Sequence, residues 1–286
     1  MGILLHAKGF ALSQIQRISN DWLPPLVKRF LKRMLIRRTS QYRDGISGWD
    51  DANLIATGYD AANILDTVLE STLRVRSGQS AFERDSVTFD RVQYSWQVSI
   101  GLMWAAASNR GELNVLDFGG ALGSSYFQNK IFIDTLPSVR WNVIEQTHYV
   151  SAGKKFIEDG RVYFYPSIED CLNETTPNII LLSSVLQYLP HPEVVMRELN
   201  NLNASIMVID RTPFIDGEIG LVVVQEVPKS IYSASYPMHI FPMDRFEREI
   251  SHNWNIIASD LSPEGWQITS LNRKFYFRGM LLERNQ

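Results

Sequence analysis

Residues 114–123, NVLDFGGALG, carry an apolar run into an acid, Asp117, and then three glycines, Gly119, Gly120 and Gly123. Glycine lets a chain turn tightly and lets its backbone approach a ligand closely. A helix starting near Ser124 would present unpaired N–H groups to the same spot. No Gly-Lys-Ser/Thr follows, which excludes a phosphate-binding P-loop. The dinucleotide pattern Gly-x-Gly-x-x-Gly is met only in part, by Gly119-Gly120-x-x-Gly123. Asp117 separates the remaining ligands. A carboxylate two residues before the first glycine repels a pyrophosphate but attracts a sulfonium and an α-ammonium. These residues therefore favour S-adenosylmethionine over a nicotinamide dinucleotide. Glu145 closes the apolar run Trp141–Ile144, 22 residues after Gly123. An acid at that strand tip is placed to accept from both hydroxyls of a ribose, and it suits either adenosine ligand.

Methyl transfer from a sulfonium asks mainly for alignment of the acceptor, because the leaving group is already activated. A hydroxyl acceptor adds the need for a base. The candidates are His191 in QYLPHP, Asp210 in VIDRTPF and His239 in YPMHIFP, with Tyr188 and Arg211 beside them. Each has a structural alternative. His191 can cap a turn, Asp210 can anchor Arg211, and His239 can be a core histidine. His239 is favoured slightly, because YPMHIFP reads as an aromatic, proline-rich loop able to cover the site. The single cysteine, Cys171, and five scattered histidines give neither a disulfide nor zinc-ligand spacing, so no metal site is expected.

The elements that must position these residues fall into three regions. Residues 1–43 form a basic arm, 44–110 a helical cap or substrate region, and 111–286 a domain of alternating strands and helices. In the second region, helical spacing runs through Asp60–Val75 and Phe89–Ala107, interrupted by FERDSVTF at 82–89. In the third, apolar runs at Val115–Phe118, Trp141–Ile144, Val162–Tyr165, Ile179–Leu182 and Ile206–Ile209 predict a parallel sheet with helices on both faces. An insertion, 212–242, holds the extra strand Leu221–Val227. Two further strands, Asn255–Asp260 and Lys274–Glu283, end the chain.

Charge is uneven along the chain. Residues 1–43 hold nine basic residues and one acid, Asp21, and the remainder holds 19 basic against 30 acidic. An acidic body argues against nucleic acid as a partner. Residues 22–38, WLPPLVKRFLKRMLIRR, read as a basic amphipathic helix. Its apolar face suits the body of the protein, a second subunit of a homo-oligomer, or an anionic membrane surface. No apolar run approaches the length of a spanning helix, and the N-terminus lacks a secretion signal. The expected location is the cytoplasm, with contact at the inner face of the membrane through 22–38 as an option.

NVLDFGGALG, the acid in VIEQ, FYPSIEDC and IILLSSVLQYLPHP together resemble, in order, the motifs of class I S-adenosylmethionine-dependent methyltransferases. Within that group, GWDDANLIATGYD, FERDSVTF and SSVLQYLPHP are similar to a methyltransferase family associated with bacterial surface-polysaccharide (O-antigen and capsule) gene clusters. The resemblance runs from about residue 48 to the end. It implies an α/β fold, a Rossmann-like seven-stranded doubly wound sheet with an N-terminal helical extension, and O-methylation of a sugar hydroxyl in polysaccharide biosynthesis. It places Ser167 and Ile168 beside adenine, and Ser183, Ser184 and Gln187 beside the methionyl part, although a Ser pair equally suits a helix N-cap. Ala121 stands where the middle glycine is usual. Two rival readings remain: a non-catalytic binding or scaffold protein on this fold, and a NAD-dependent sugar-modifying enzyme. Asp117 and the lack of a Tyr-x-x-x-Lys pair disfavour the second.

Overall fold

A computed structural model describes residues 41–57, 61–84, 86–227 and 234–285. The basic segment 22–38 lies outside the described residues. The N-terminal part comprises β1 (Tyr42–Arg43), α1 (Trp49–Ile55), α2 (Ala61–Arg76), β2 (Phe82–Arg84), β3 (Val87–Phe89) and α3 (Trp96–Ser108). An alternating stretch follows: β4 (Glu112–Phe118), α4 (Ser124–Ile133), β5 (Ser138–Ile144), α5 (Thr147–Phe156), β6 (Val162–Tyr165), α6 (Ile168–Leu172), β7 (Ile179–Ser183) and α7 (Pro192–Asn200). The chain closes with β8 (Ile206–Ile215), β9 (Leu221–Glu226), β10 (Ser235–Pro242), α8 (Met243–Ile250), β11 (Trp254–Ile268) and β12 (Lys274–Arg284).

Seven strands form the doubly wound sheet that the resemblance implies, in the order β6-β5-β4-β7-β8-β12-β11. β4 through β8 are parallel, and β12 runs antiparallel to β8. Strand side chains alternate between two apolar faces, which is why these strands read as continuous hydrophobic runs. Val115, Val143 and Leu181 pack against α2–α5, and Leu116, Ile144 and Leu182 pack against α6–α8. Gly153 of α5 lies flat on Phe164 of β6, where a Cβ would come within 2.4 Å of the ring.

Three elements depart from the sequence reading. FERDSVTF is the hairpin β2–β3, with Phe82 and Phe89 stacked at 5.8 Å, so α3 starts only at Trp96. YPMHIFP belongs to β10 rather than to a loop. It pairs antiparallel with β9, and β9 pairs with β1, extending the sheet beyond the end of β8. Its prolines misled the reading: Pro237 and Pro242 sit in a strand whose Met238 and Ile240 are buried with Phe275 and Phe277. Finally, β11 is longer than expected and holds its pairing with β12 through two register shifts.

Candidate functional site

The carboxyl ends of β4, β5, β7 and β8 meet the hairpin β2–β3 and the strands β9–β10 around a cavity of about 870 Å³. Its floor is the glycine turn. Gly119 has φ +71°, and a Cβ there would lie 2.3 Å from Val185 Cγ2. A Cβ on Gly120 would lie 2.4 Å from Asp117 Oδ2. These two glycines are therefore required by close approach from either side of the turn. Gly123 (φ +87°) is the residue from which α4 departs; it does not line the cavity. Ala121, in the middle of the turn, also takes a left-handed conformation, φ +51°.

Asp117 is fully buried beneath this turn. Its Oδ2 accepts from the Trp141 indole Nε1–H at 2.9 Å. Burial pushes its carboxyl up to about 7; the indole opposes the shift and the Glu145 charge adds to it. Asp117, which the sequence reading set beside the cations of a ligand, lies under Gly120 at the base of this cavity. Glu145 stands at the tip of β5 as expected and lines the cavity. Its Oε1 accepts from the Ala121 N–H at 3.2 Å and its Oε2 from the Gln146 N–H at 2.8 Å. Burial raises its carboxyl above the usual range, and the two amides oppose that shift.

Ser183 and Ser184 line the cavity at the end of β7. Ser183 Oγ donates to Asp210 Oδ2 at 3.2 Å, and Ser184, at φ +57°, sends its N–H to the Asp210 carbonyl at 2.9 Å. Gln187 donates to Ser184 Oγ from the turn that follows. Asp210 also faces the cavity, and its Oδ1 accepts from Ser95 Oγ at 2.9 Å. Arg211, at φ +50°, joins Asp210 and Glu264 at 3.9 and 3.8 Å. Thus Ala121 in the turn after β4, Ser184 just beyond β7 and Arg211 within β8 share a conformation that non-glycine residues rarely adopt. Such strain gathers where a site dictates backbone geometry.

Besides Gly123 and the buried Gln187, four residues singled out in the sequence lie away from the cavity lining. Ser167 caps α6 through the Asp170 N–H, Ile168 is buried against the sheet, and the adjoining Pro166 reaches the cavity in their place. His191 is exposed and pairs with Glu193 at 3.4 Å. His239 is stacked between Trp49 (4.6 Å) and Phe241 (5.7 Å), and burial holds its imidazole below the usual histidine range. No cluster of metal-ligating side chains occurs among the described residues. No helix among them is long and apolar enough to cross a membrane.

Several lining residues escaped the sequence reading: Glu83 and Arg84 of β2, Tyr94 and Ser95 before α3, and Gln225 and Tyr236 of the added strands. FERD and the adjoining QYS were the available signal, yet nothing local ties them to the glycine turn.

No family model matches the sequence, and no curated protein matches it. Among solved structures, the N-terminal domain of EvdMO1, crystallised in the presence of SAH and D-fucose, aligns over 80% of this chain and 98% of that one, at 10% identity and a TM-score of 0.46. Magnesium protoporphyrin IX methyltransferase (ChlM) from Synechocystis PCC 6803, with bound SAM, aligns over 80% and 87%, at 11% identity and a TM-score of 0.40. The mitomycin 7-O-methyltransferase MmcR aligns over 77% and 66%, at 13% identity and a TM-score of 0.39.

Proposed function

We propose that the protein is an S-adenosylmethionine-dependent methyltransferase that methylates a hydroxyl group of a saccharide. The observation that carries this reading is the charge of the cavity beside its glycine turn. Glu83, Glu145 and Asp210 line it, with Asp117 beneath the turn, against two guanidinium groups, Arg84 and Arg211. A cavity with that balance opposes a pyrophosphate and favours an adenosine ligand that carries cations. Its size and its mixed apolar and polar lining also suit a nucleoside ligand. Glu145 is the residue to accept from ribose hydroxyls.

Bound S-adenosylmethionine supplies an activated methyl group. The chain's own part is to align an acceptor and take its proton. Asp210 is the cavity carboxylate best held for that task, fixed on both oxygens by Ser95 and Ser183. Trp49, Tyr188 and Tyr236 offer aromatic faces with Gln225 between them, a combination that suits a sugar. Tyr188 Oη donates to Gln225 Oε1 at 2.7 Å, which fixes the ring and the amide together.

Calorimetric titration with S-adenosylhomocysteine, with NAD in parallel, tests the reading. Binding of S-adenosylhomocysteine alone is expected. Binding of NAD alone would overturn it, and binding of neither would favour a scaffold.

A further inference from the structure

We infer that the methyl donor and a proton compete for Asp117: entry of the donor's α-ammonium over the glycine turn drives the proton of this buried acid out to solvent. The inference rests on the donor reading above and adds a proton to its binding step. Three features of the cavity base support it. Asp117 has no exposed surface, yet it lies at the base of the cavity. The Trp141 indole donates to its Oδ2 at 2.9 Å, so a proton on this carboxyl belongs on Oδ1. Oδ1 is itself buried and has no hydrogen-bond partner.

A buried carboxylate oxygen with no donor beside it is costly as an anion. Glu145 on β5 is the charge that acts on Asp117, and it has the same sign. Tyr126 of α4 stands edge-on to Trp141, and Ser124 of α4 is bonded to Glu83 of β2. The cavity lining adds His148 and Tyr149 from α5, Asp210 and Arg211 from β8, and Arg84 from β2. Arg84 and Arg211 both pair with Glu264. The free protein therefore tends to keep the proton: burial, opposed by the indole and supported by Glu145, pushes the Asp117 carboxyl up to about 7. A bound α-ammonium reverses this balance. It acts on the acid through protein rather than water, and it favours the ionised form. The O–H bond at Oδ1 breaks, its electron pair stays on the carboxylate, and the proton passes to the buffer. Affinity then depends on how much of Asp117 is already ionised.

The test is calorimetry of the full chain with S-adenosylhomocysteine, in buffers of unlike ionisation enthalpy. At about pH 6, where the ammonium of the free ligand is fully formed, binding should release about one proton. Affinity should rise about tenfold from about pH 6 to about pH 8. 5′-Methylthioadenosine, a thioether of the same nucleoside without the amino-acid group, should release no proton and bind alike at both pH values. Asp117→Asn keeps an oxygen for the indole and cannot ionise. It should bind S-adenosylhomocysteine no better at either pH than the unaltered protein does at the lower one, with no proton released. Equal release with both ligands would overturn the inference by taking the ammonium out of it. Release that persists in Asp117→Asn would overturn it by assigning the proton to another acid, Glu145 first. An even affinity across this range, with no release, would overturn it by leaving Asp117 in one protonation state. Failure of the unaltered protein to bind S-adenosylhomocysteine at any pH would instead sink the donor reading on which the inference stands.

Discussion

The turn after β4 and the hairpin β2–β3 each bring a buried acid to one cavity, and they hold it in opposite ways. Asp117 lies below its turn with an indole donor on one oxygen, and its carboxyl is pushed up to about 7. Glu83 comes from the hairpin and is joined by a hydroxyl to the start of α4. The first acid is held beneath the turn, with its Oδ1 left without a partner. The second is bonded to the first residue of the helix that leaves the turn. A carboxyl group in the cavity lining can thus be anchored by the neighbouring strand or by the helix start. Burial by itself does not tell them apart; the elements on either side do.

The comparison breaks most readily at the floor. Gly119→Ala forces a Cβ against Val185, a stiff β-branched side chain, at a left-handed backbone position. Urea unfolding should register a loss of about 3 kcal/mol or more, and S-adenosylhomocysteine binding should vanish with it. Retained binding would mean that the turn adjusts and is not the floor described here.

Asp117→Asn sharpens the contrast through pH. The folded carboxyl titrates above its unfolded value, so its protonated form contributes stability that is fully present below about 4 and is lost as pH rises through about 7. The asparagine cannot ionise and keeps an oxygen for the Trp141 indole. Between pH 5 and 8 the variant should therefore gain on the unaltered protein by roughly 2–3 kcal/mol, read from urea midpoints at each pH. A pH-independent difference would show that Asp117 ionises normally under its turn.

Ala121→Gly should have the smallest effect and the opposite sign. Relieving a left-handed alanine should raise stability by about 1 kcal/mol or less, with the Glu145 contact to the backbone intact. A loss of stability in thermal unfolding would show that the alanine methyl contributes packing that outweighs its backbone strain.

How much was legible in advance follows from how far apart the interacting residues lie in the chain. The β4 turn was legible because its pieces are contiguous: an apolar strand, an acid and glycines report one bend, whatever packs above it. Glu145 was legible because strand ends in a parallel sheet share an edge. The pairing of Trp141 with Asp117 was not, since it depends on β5 lying in register beside β4. That single contact engages one oxygen of Asp117 beneath the turn. His239 was misplaced for a similar reason. Its prolines suggest a loop, but β10 finds β9 and Trp49, and an aromatic stack takes up the ring.

The sequence by itself determined the parallel sheet, the two apolar faces, the glycine turn and the acid at the tip of β5, because periodicity and local backbone demands are written in neighbouring residues. Only the tertiary structure decided what holds each lining acid, that the hairpin β2–β3 packs on α4, and that β9 and β10 extend the sheet edge. Those outcomes depend on residues tens to hundreds of positions apart, and burial and hydrogen bonding arise only once the chain has brought them together.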